Sequence, residues 1–303
     1  MQTLLTISAL CAWLVALPLQ GGSSVGFRVV QIPDGPKTAV WYPATESAAP
    51  HAHPLIVFSH GWGGCGTQSR FLVEELARAG YIVVAPDHRD AACSVEGRRL
   101  PRIHIPESPF TAPGRWRETT YDDRRVDLQK ALDWILASPD FRGSIDPARI
   151  GAMGHSLGGY SVLSLAGAWE SWKDPRITAV LALSPYVKPL LRHERLQNIH
   201  VPVMYQDAQF DWGITPSLRG TSGAFAQTPA PKYYVELRGG NHFSWTNAAC
   251  FGRGQGEDCI RKSANARLIV DYSVAFFDRY LKQRSEALSR LDGAGLRTYK
   301  HVD

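Results

Sequence analysis

Short, unbroken apolar runs recur through this sequence and alternate with amphipathic stretches. LIVF (55–58), YIVVA (81–85) and VLAL (180–183) show no inside-outside alternation. A strand that is apolar at every position needs cover on both faces, which is the condition inside a parallel sheet flanked by helices. The runs predict strands at Gly26–Ile32, Ala39–Tyr42, Leu55–Ser59, Tyr81–Ala85, Arg149–Met153, Ile177–Leu183, Val201–Tyr205 and Tyr233–Leu237. Helical spacing appears between them. Phe71, Leu72, Leu76 and Ala79 mark a helix over Ser69–Ala79 that stops at Gly80. Val126, Ala131, Leu132, Ile135 and Leu136 mark one over Asp122–Ala137. Tyr160–Trp169 reads as a third, and Leu268, Ile269, Tyr272, Ala275, Phe276 and Tyr280 stripe a last one over Ser263–Lys282. The expected class is α/β: a mostly parallel central sheet of about eight strands with helices on both faces.

At 303 residues the chain has ample length for a buried core. No linker divides it, so residues 25–303 are expected to form a single domain. Three irregular segments interrupt the alternation, at Asp87–Trp116, Pro185–Ile199 and Gly213–Pro231. Loops this long usually carry function. The net charge of +5 is scattered, with at most two basic residues adjacent. That argues against a nucleic-acid partner, which requires a clustered basic face. Residues 1–24 carry no charged side chain, and Leu4 to Leu17 is almost continuously apolar. The length suits a signal peptide and is short for a membrane span. The expectation is a secreted or periplasmic protein with no stable span after signal removal. Cys11 falls in that leader. Cys65, Cys93, Cys250 and Cys259 remain, an even number that suits two disulfides in any of three pairings. No cysteine or histidine spacing fits a metal site.

Gly154-His155-Ser156-Leu157-Gly158-Gly159 follows a predicted strand and precedes a helical run. Strand, small residues, then helix is the sharp turn that lifts a serine hydroxyl clear of a sheet. Glycines are needed where neighbouring backbones come too close for side chains. A serine requires a base and an orienting acid to act as a nucleophile. In this architecture they follow in the order Ser, Asp or Glu, His. Asp211 lies just past the strand VPVMY and His242 just past YYVEL, at strand carboxyl ends where open parallel sheets place ligands. Asp207, four residues earlier, is the competing acid. His155 and His60 read as loop-organising residues, and His88-Arg89-Asp90 as either a local ion pair or a solvated loop.

With Ala39-Val40-Trp41-Tyr42-Pro43-Ala44, Val57–Gly64 (VFSHGWGG), Gly80–Asp90 (GYIVVAPDHRD), the Ser156 turn and Gly239-Gly240-Asn241-His242-Phe243, the chain resembles the α/β-hydrolases. It is most similar to secreted esterases related to bacterial platelet-activating-factor acetylhydrolase and to serine-type dienelactone-hydrolase-like proteins. Cutinase-type polyester hydrolases share the serine turn and the Gly-Gly-x-His-Phe ending. The resemblance covers nearly the whole mature chain. It implies the α/β-hydrolase fold and a Ser156-His242-Asp211 triad. It also implies an oxyanion hole from the backbone N–H groups of Trp62 and Leu157, with Gly63 competing for the Trp62 role. No metal or organic cofactor is implied. Cys65 in the oxyanion loop is expected to pair with Cys93 after the adjacent strand, leaving a short Cys250–Cys259 loop. Trp62, Tyr186, Trp212, Phe243 and Trp245 cluster at motif-bearing strand ends and are expected to line the substrate cleft. The implied partner is a small-molecule or polymeric ester. The first reading is a short-acyl carboxylic-ester hydrolase acting through an acyl-enzyme. The alternatives are a polyester or cutin depolymerase, an amide hydrolase, and a binding protein on a hydrolase fold without catalysis.

Overall fold

The computed structural model describes residues 24–44, 52–96, 105–250, 260 and 262–303. Nearly all of the leader stretch lies outside these residues, as do Cys11, Cys259 and the side chain of Cys250, so the expected Cys250–Cys259 pairing does too. Nine strands form one sheet: β1 (Ser24–Gln31), β2 (Lys37–Ala44), β3 (His53–Ser59), β4 (Ile82–Pro86), β5 (Ile145–His155), β6 (Ile177–Leu183), β7 (Val203–Ala208), β8 (Lys232–Leu237) and β9 (Thr298–Val302). Their order is β1-β2-β4-β3-β5-β6-β7-β8-β9. Strands β4, β3, β5, β6, β7 and β8 run parallel to one another, whereas β1, β2 and β9 pair antiparallel at the two sides. This is the α/β-hydrolase architecture. The expected strands are all present, with ends shifted by a few residues. The ninth, β9, has the polar sequence TYKHV and an exposed edge, so it carries no apolar run to reveal it.

The apolar runs are explained by two cores, one on each face. In β3, Leu55 and Val57 pack toward helices α2 (Asp122–Ala137) and α3 (Leu157–Leu163). Ile56 and Phe58 point the other way, toward α1 (Arg70–Arg78) and the C-terminal helix (Ala264–Tyr280). Alternation persists in geometry and disappears in polarity because both faces are covered.

One helix departs from its expected stripe. The buried side of α2 is Arg124, Leu128, Ala131, Leu132 and Ile135, while Val126 and Leu136 are only half-buried. Arg124 therefore occupies an inward position at helical spacing from Leu128 and Ile135. The run expected at Tyr160–Trp169 begins earlier, at Leu157, and breaks near Gly167, whose φ is +112°.

The turn between β5 and α3 is built by close backbone approach. Ser156 has φ 55° and ψ −115°, a region L-residues rarely occupy. A Cβ at Gly158 would stand 2.0 Å from the Ser59 carbonyl oxygen, and one at Gly154 would stand 2.2 Å from the Gly158 carbonyl oxygen. Neither neighbour is a flexible side chain. Gly158→Ala is expected to lower stability by about 2–3 kcal/mol or more, since β3 and α3 must separate to admit the methyl. Urea unfolding of the purified variant measures this, and an unchanged midpoint refutes it.

Candidate active site

Ser156, Asp211 and His242 meet at the carboxyl end of the sheet. The Ser156 N–H donates to Leu183 O at 3.0 Å, and its own carbonyl accepts from the Tyr186 N–H at 2.9 Å. These bonds hold the turn in its strained form. His242 Nε2 lies 2.9 Å from Ser156 Oγ, and His242 Nδ1 lies 2.8 Å from Asp211 Oδ2. The carboxylate accepts, so Nδ1 carries the proton and Nε2 faces the serine hydroxyl as an acceptor. Asp211 is buried.

Asp207 does not reach His242. It is fully buried on β7, where its oxygens accept from Thr215 Oγ1 at 2.7 Å, the Ala208 N–H at 2.7 Å and Tyr234 OH at 3.1 Å. Burial pushes its carboxyl up to about 6, a rise that these hydrogen bonds oppose and the nearby Asp211 charge reinforces.

Sequence reasoning missed Ser184. It follows β6 directly, with φ 42°, and its N–H donates to Gln206 O at 2.7 Å. Its hydroxyl donates to Asp211 Oδ2 and lies 2.9 Å from His242 Nδ1. The available signal was position: β6 stands between β5, which carries Ser156, and β7, which leads to Asp211.

Two layers of polar side chains lie beneath the loops. His155 is buried and its Nε2 sits 2.8 Å from His242 O, an acceptor, so Nε2–H donates. Its Nδ1 then accepts from Gln68 Nε2 at 2.9 Å, and Gln68 Oε1 accepts from the Gly61 N–H at 3.0 Å. Burial foremost, then the adjacent His242, push the His155 imidazole down to about 3, so it stays neutral. The second layer holds His60, His88, Asp90, Arg124 and Asp127. Arg124 is fully buried and its Nη2 meets both Asp90 oxygens at 2.7–2.8 Å. Its Nη1 donates to His60 O at 2.7 Å. His88 Nδ1 lies 3.0 Å from Asp127 Oδ2, and its Nε2 lies 2.9 Å from Ser59 Oγ. Burial alone would raise Asp90, yet Arg124 and the two imidazoles bring it down to about 2. His88, Arg89 and Asp90 therefore do not pair with one another: His88 and Asp90 turn to partners on α2, while Arg89 is exposed near Glu107 and Asp123.

The cleft over Ser156 has a volume of about 880 Å³. Trp62, Phe110, Tyr186, Ile214 and Phe243 line it together with His242. Phe110, from the long segment after β4, was not singled out in the sequence. It packs edge-on against Tyr186 (5.0 Å) and Trp62 (6.1 Å). Two of the five expected cleft aromatics lie elsewhere. Trp245 is fully buried beneath the His242 loop, where its indole N–H donates to Gln206 Oε1 at 3.0 Å and its ring stacks on His155. The indole N–H needs a partner once buried, and Gln206 supplies it from β7. Trp212 is 77% exposed and lines a neighbouring depression with Phe210. Cys65 and Cys93 form a disulfide (Cα–Cα 5.3 Å) on the cleft rim, as expected.

The PET hydrolase-like family matches residues 115–285, more than half of the chain. This chain belongs to that family. Platelet-activating factor acetylhydrolase, isoform II, matches residues 21–98. Among individual relatives, Cutinase est2 of Thermobifida alba is 26% identical over 209 residues, covering 68% of this chain and 56% of the relative. The platelet-activating factor acetylhydrolase of Cavia porcellus is 25% identical over 168 residues, covering 46% and 36%. That of Gallus gallus is 25% identical over 227 residues, covering 62% and 52%. The chain thus spans about half the length of these relatives, or less.

Asp207 offers a test of the electrostatics. The folded protein holds this proton up to about pH 6, whereas an unfolded chain releases it near about pH 4. Its contribution to stability therefore falls as pH rises through that window and is flat above it. Asp207→Asn is expected to flatten the stability-pH slope between about pH 4 and 6, read from urea midpoints. Equal slopes in wild type and variant refute the assignment.

Proposed function

We propose that this chain is a serine carboxylic-ester hydrolase working through an acyl-enzyme. The observation that carries the reading is the hydrogen-bonded line from Ser156 Oγ to His242 Nε2 and from His242 Nδ1 to Asp211 Oδ2. His242 takes the proton of Ser156 as the serine oxygen attacks the ester carbonyl. The carbonyl electrons move onto oxygen, and the backbone N–H groups of Trp62 and Leu157 receive that charge. His242 then gives its proton to the departing alcohol, and water repeats the sequence on the acyl-enzyme. Leu157 is the first residue of α3, so its N–H has no intrahelical acceptor and remains free for this role. Each such donor is worth about 10²–10³-fold in rate. Asp211 holds the Nδ1–H tautomer, and Ser184 steadies Asp211. The neutral His155 supports the His242 carbonyl throughout the cycle without competing for its proton.

The preferred substrate is a short-acyl ester. An exported compartment fits the Cys65–Cys93 disulfide. A polyester or cutin-type polymer is the second reading. It is favoured by the wide aromatic cleft with Trp62 and Phe243 exposed at its mouth, and by the family to which the chain belongs.

Ser156→Ala is expected to abolish turnover of p-nitrophenyl acetate, and a variant with wild-type activity overturns the proposal. Asp211→Asn is expected to lower kcat by about 10⁴-fold, while Asp207→Asn stays within about threefold. A large loss at Asp207→Asn with Asp211→Asn spared would move the acid to position 207. A p-nitrophenyl ester series from acetyl to palmitoyl, run beside an amorphous polyester film, separates the two substrate readings. A steep preference for acetyl or butyryl with no release from the film supports the first. Soluble monomers released from the film support the second.

A further inference from the structure

The scheme above gives Arg124 no part, yet this fully buried cation touches the loop that carries Trp62. Its Nη1 donates to His60 O at 2.7 Å, and its Nη2 reaches Gly61 O at 3.5 Å. The Gly61 carbonyl also accepts from the Gly64 N–H at 2.9 Å and from His60 Nδ1 at 2.7 Å. His60 Nε2 is occupied as the acceptor of the His88 N–H at 2.9 Å, so Nδ1 is the donor. All three donors meet the Gly61 oxygen, and none meets the other end of that peptide.

A trans peptide is planar, and its C=O and N–H point in opposite directions. Fixing the Gly61 oxygen therefore fixes the direction of the Trp62 N–H. The preceding peptide is fixed as well, with its carbonyl on Arg124 and its Gly61 N–H on Gln68. Of the four polar groups flanking Gly61, the Trp62 N–H is the one that meets no acceptor among the described residues. The loop lies against the nucleophile: a Cβ at Gly61 would stand 3.4 Å from Ser156 Cβ.

We propose that Arg124 and His60 are positioning residues that clamp the Gly61–Trp62 peptide so that the Trp62 N–H is aimed at the developing oxyanion. The inference rests on the ester-hydrolase reading and adds residues to it. Nη2 lies against both Asp90 oxygens, which holds that end of the guanidinium and leaves Nη1 on the His60 carbonyl. A lysine ammonium satisfies Asp90 as a point charge and lacks the fork that spans two successive carbonyls. Arg124→Lys thus keeps the charge and removes the aim.

The test uses wild type, Ser156→Ala, Arg124→Lys and His60→Leu, with folding checked by circular dichroism and thermal melts. For each, kcat and KM are measured on p-nitrophenyl acetate. Affinity is measured for a phenyl trifluoromethyl ketone. Ser156 Oγ adds to this ketone as its proton passes to His242, and the carbonyl π electrons become an alkoxide in the oxyanion hole. In folded Arg124→Lys, kcat is expected to fall about ten- to hundredfold with KM within twofold, and ketone affinity to fall by the same factor. His60→Leu is expected to move both in the same direction. A purely structural role lowers the melting temperature and leaves kcat per folded molecule intact. The clamp is overturned if a folded variant keeps both kcat and ketone affinity within threefold of wild type. Should Arg124→Lys fail to fold, His60→Leu decides. A wild type that hydrolyses no ester overturns the ester reading instead, while the ketone affinities still report on the clamp.

Discussion

The site depends on one residue held in a backbone conformation it would not adopt alone. Ser156 sits at φ 55° between β5 and α3, at a cost of order 1–3 kcal/mol. Contacts on every side offset that cost. The Leu183 carbonyl and the Tyr186 N–H bind its backbone, and α3 approaches β3 so closely that Gly158 touches the Ser59 carbonyl. The same compression brings Ser59, His60 and Gly61 beside the serine. The Ser156 turn and the Gly61–Trp62 loop are thus two sides of one contact.

Beneath these loops the buried polar groups divide by charge. His155, next to the proposed base, is held far below the ordinary imidazole range and stays uncharged. It adds hydrogen bonds without adding a field that would change as His242 gains and loses its proton. The charged pair, Arg124 with Asp90, is set behind His60, where its field is constant. Burying such a pair is costly, and removing one partner is costlier still. In the proposed clamp its use is directional rather than stabilising.

Much of this was legible in the sequence. Apolar runs covered on both faces announce themselves, so the inner strands such as β3, β4 and β6 could be read directly. Ser156, Asp211 and His242 each follow a recognisable strand, so their meeting was readable from chain order. Ser184 was hidden because a serine after a strand has no motif of its own; its meaning arises only when β6 is known to lie between β5 and β7. Arg124 was hidden because an arginine on an amphipathic helix reads as surface, though its spacing to Leu128 and Ile135 placed it on the inner stripe. Trp245 misled in the opposite sense. It lies three residues from His242, but a single turn of loop directs its ring down onto His155 and away from solvent.

The two outermost strands bear on the protein's life in solution. β1 exposes Arg28 and Gln31 beside Phe27, and β9 exposes Lys300 and His301 beside Val302. A sheet ends in rows of unpaired amides that invite a second molecule to dock strand to strand. Charged and polar side chains on both borders discourage such stacking. The apolar runs of β3, β4 and β6 stand inside those borders. The fold thereby shields its own aggregation-prone sequences while leaving an aromatic cleft open on another face.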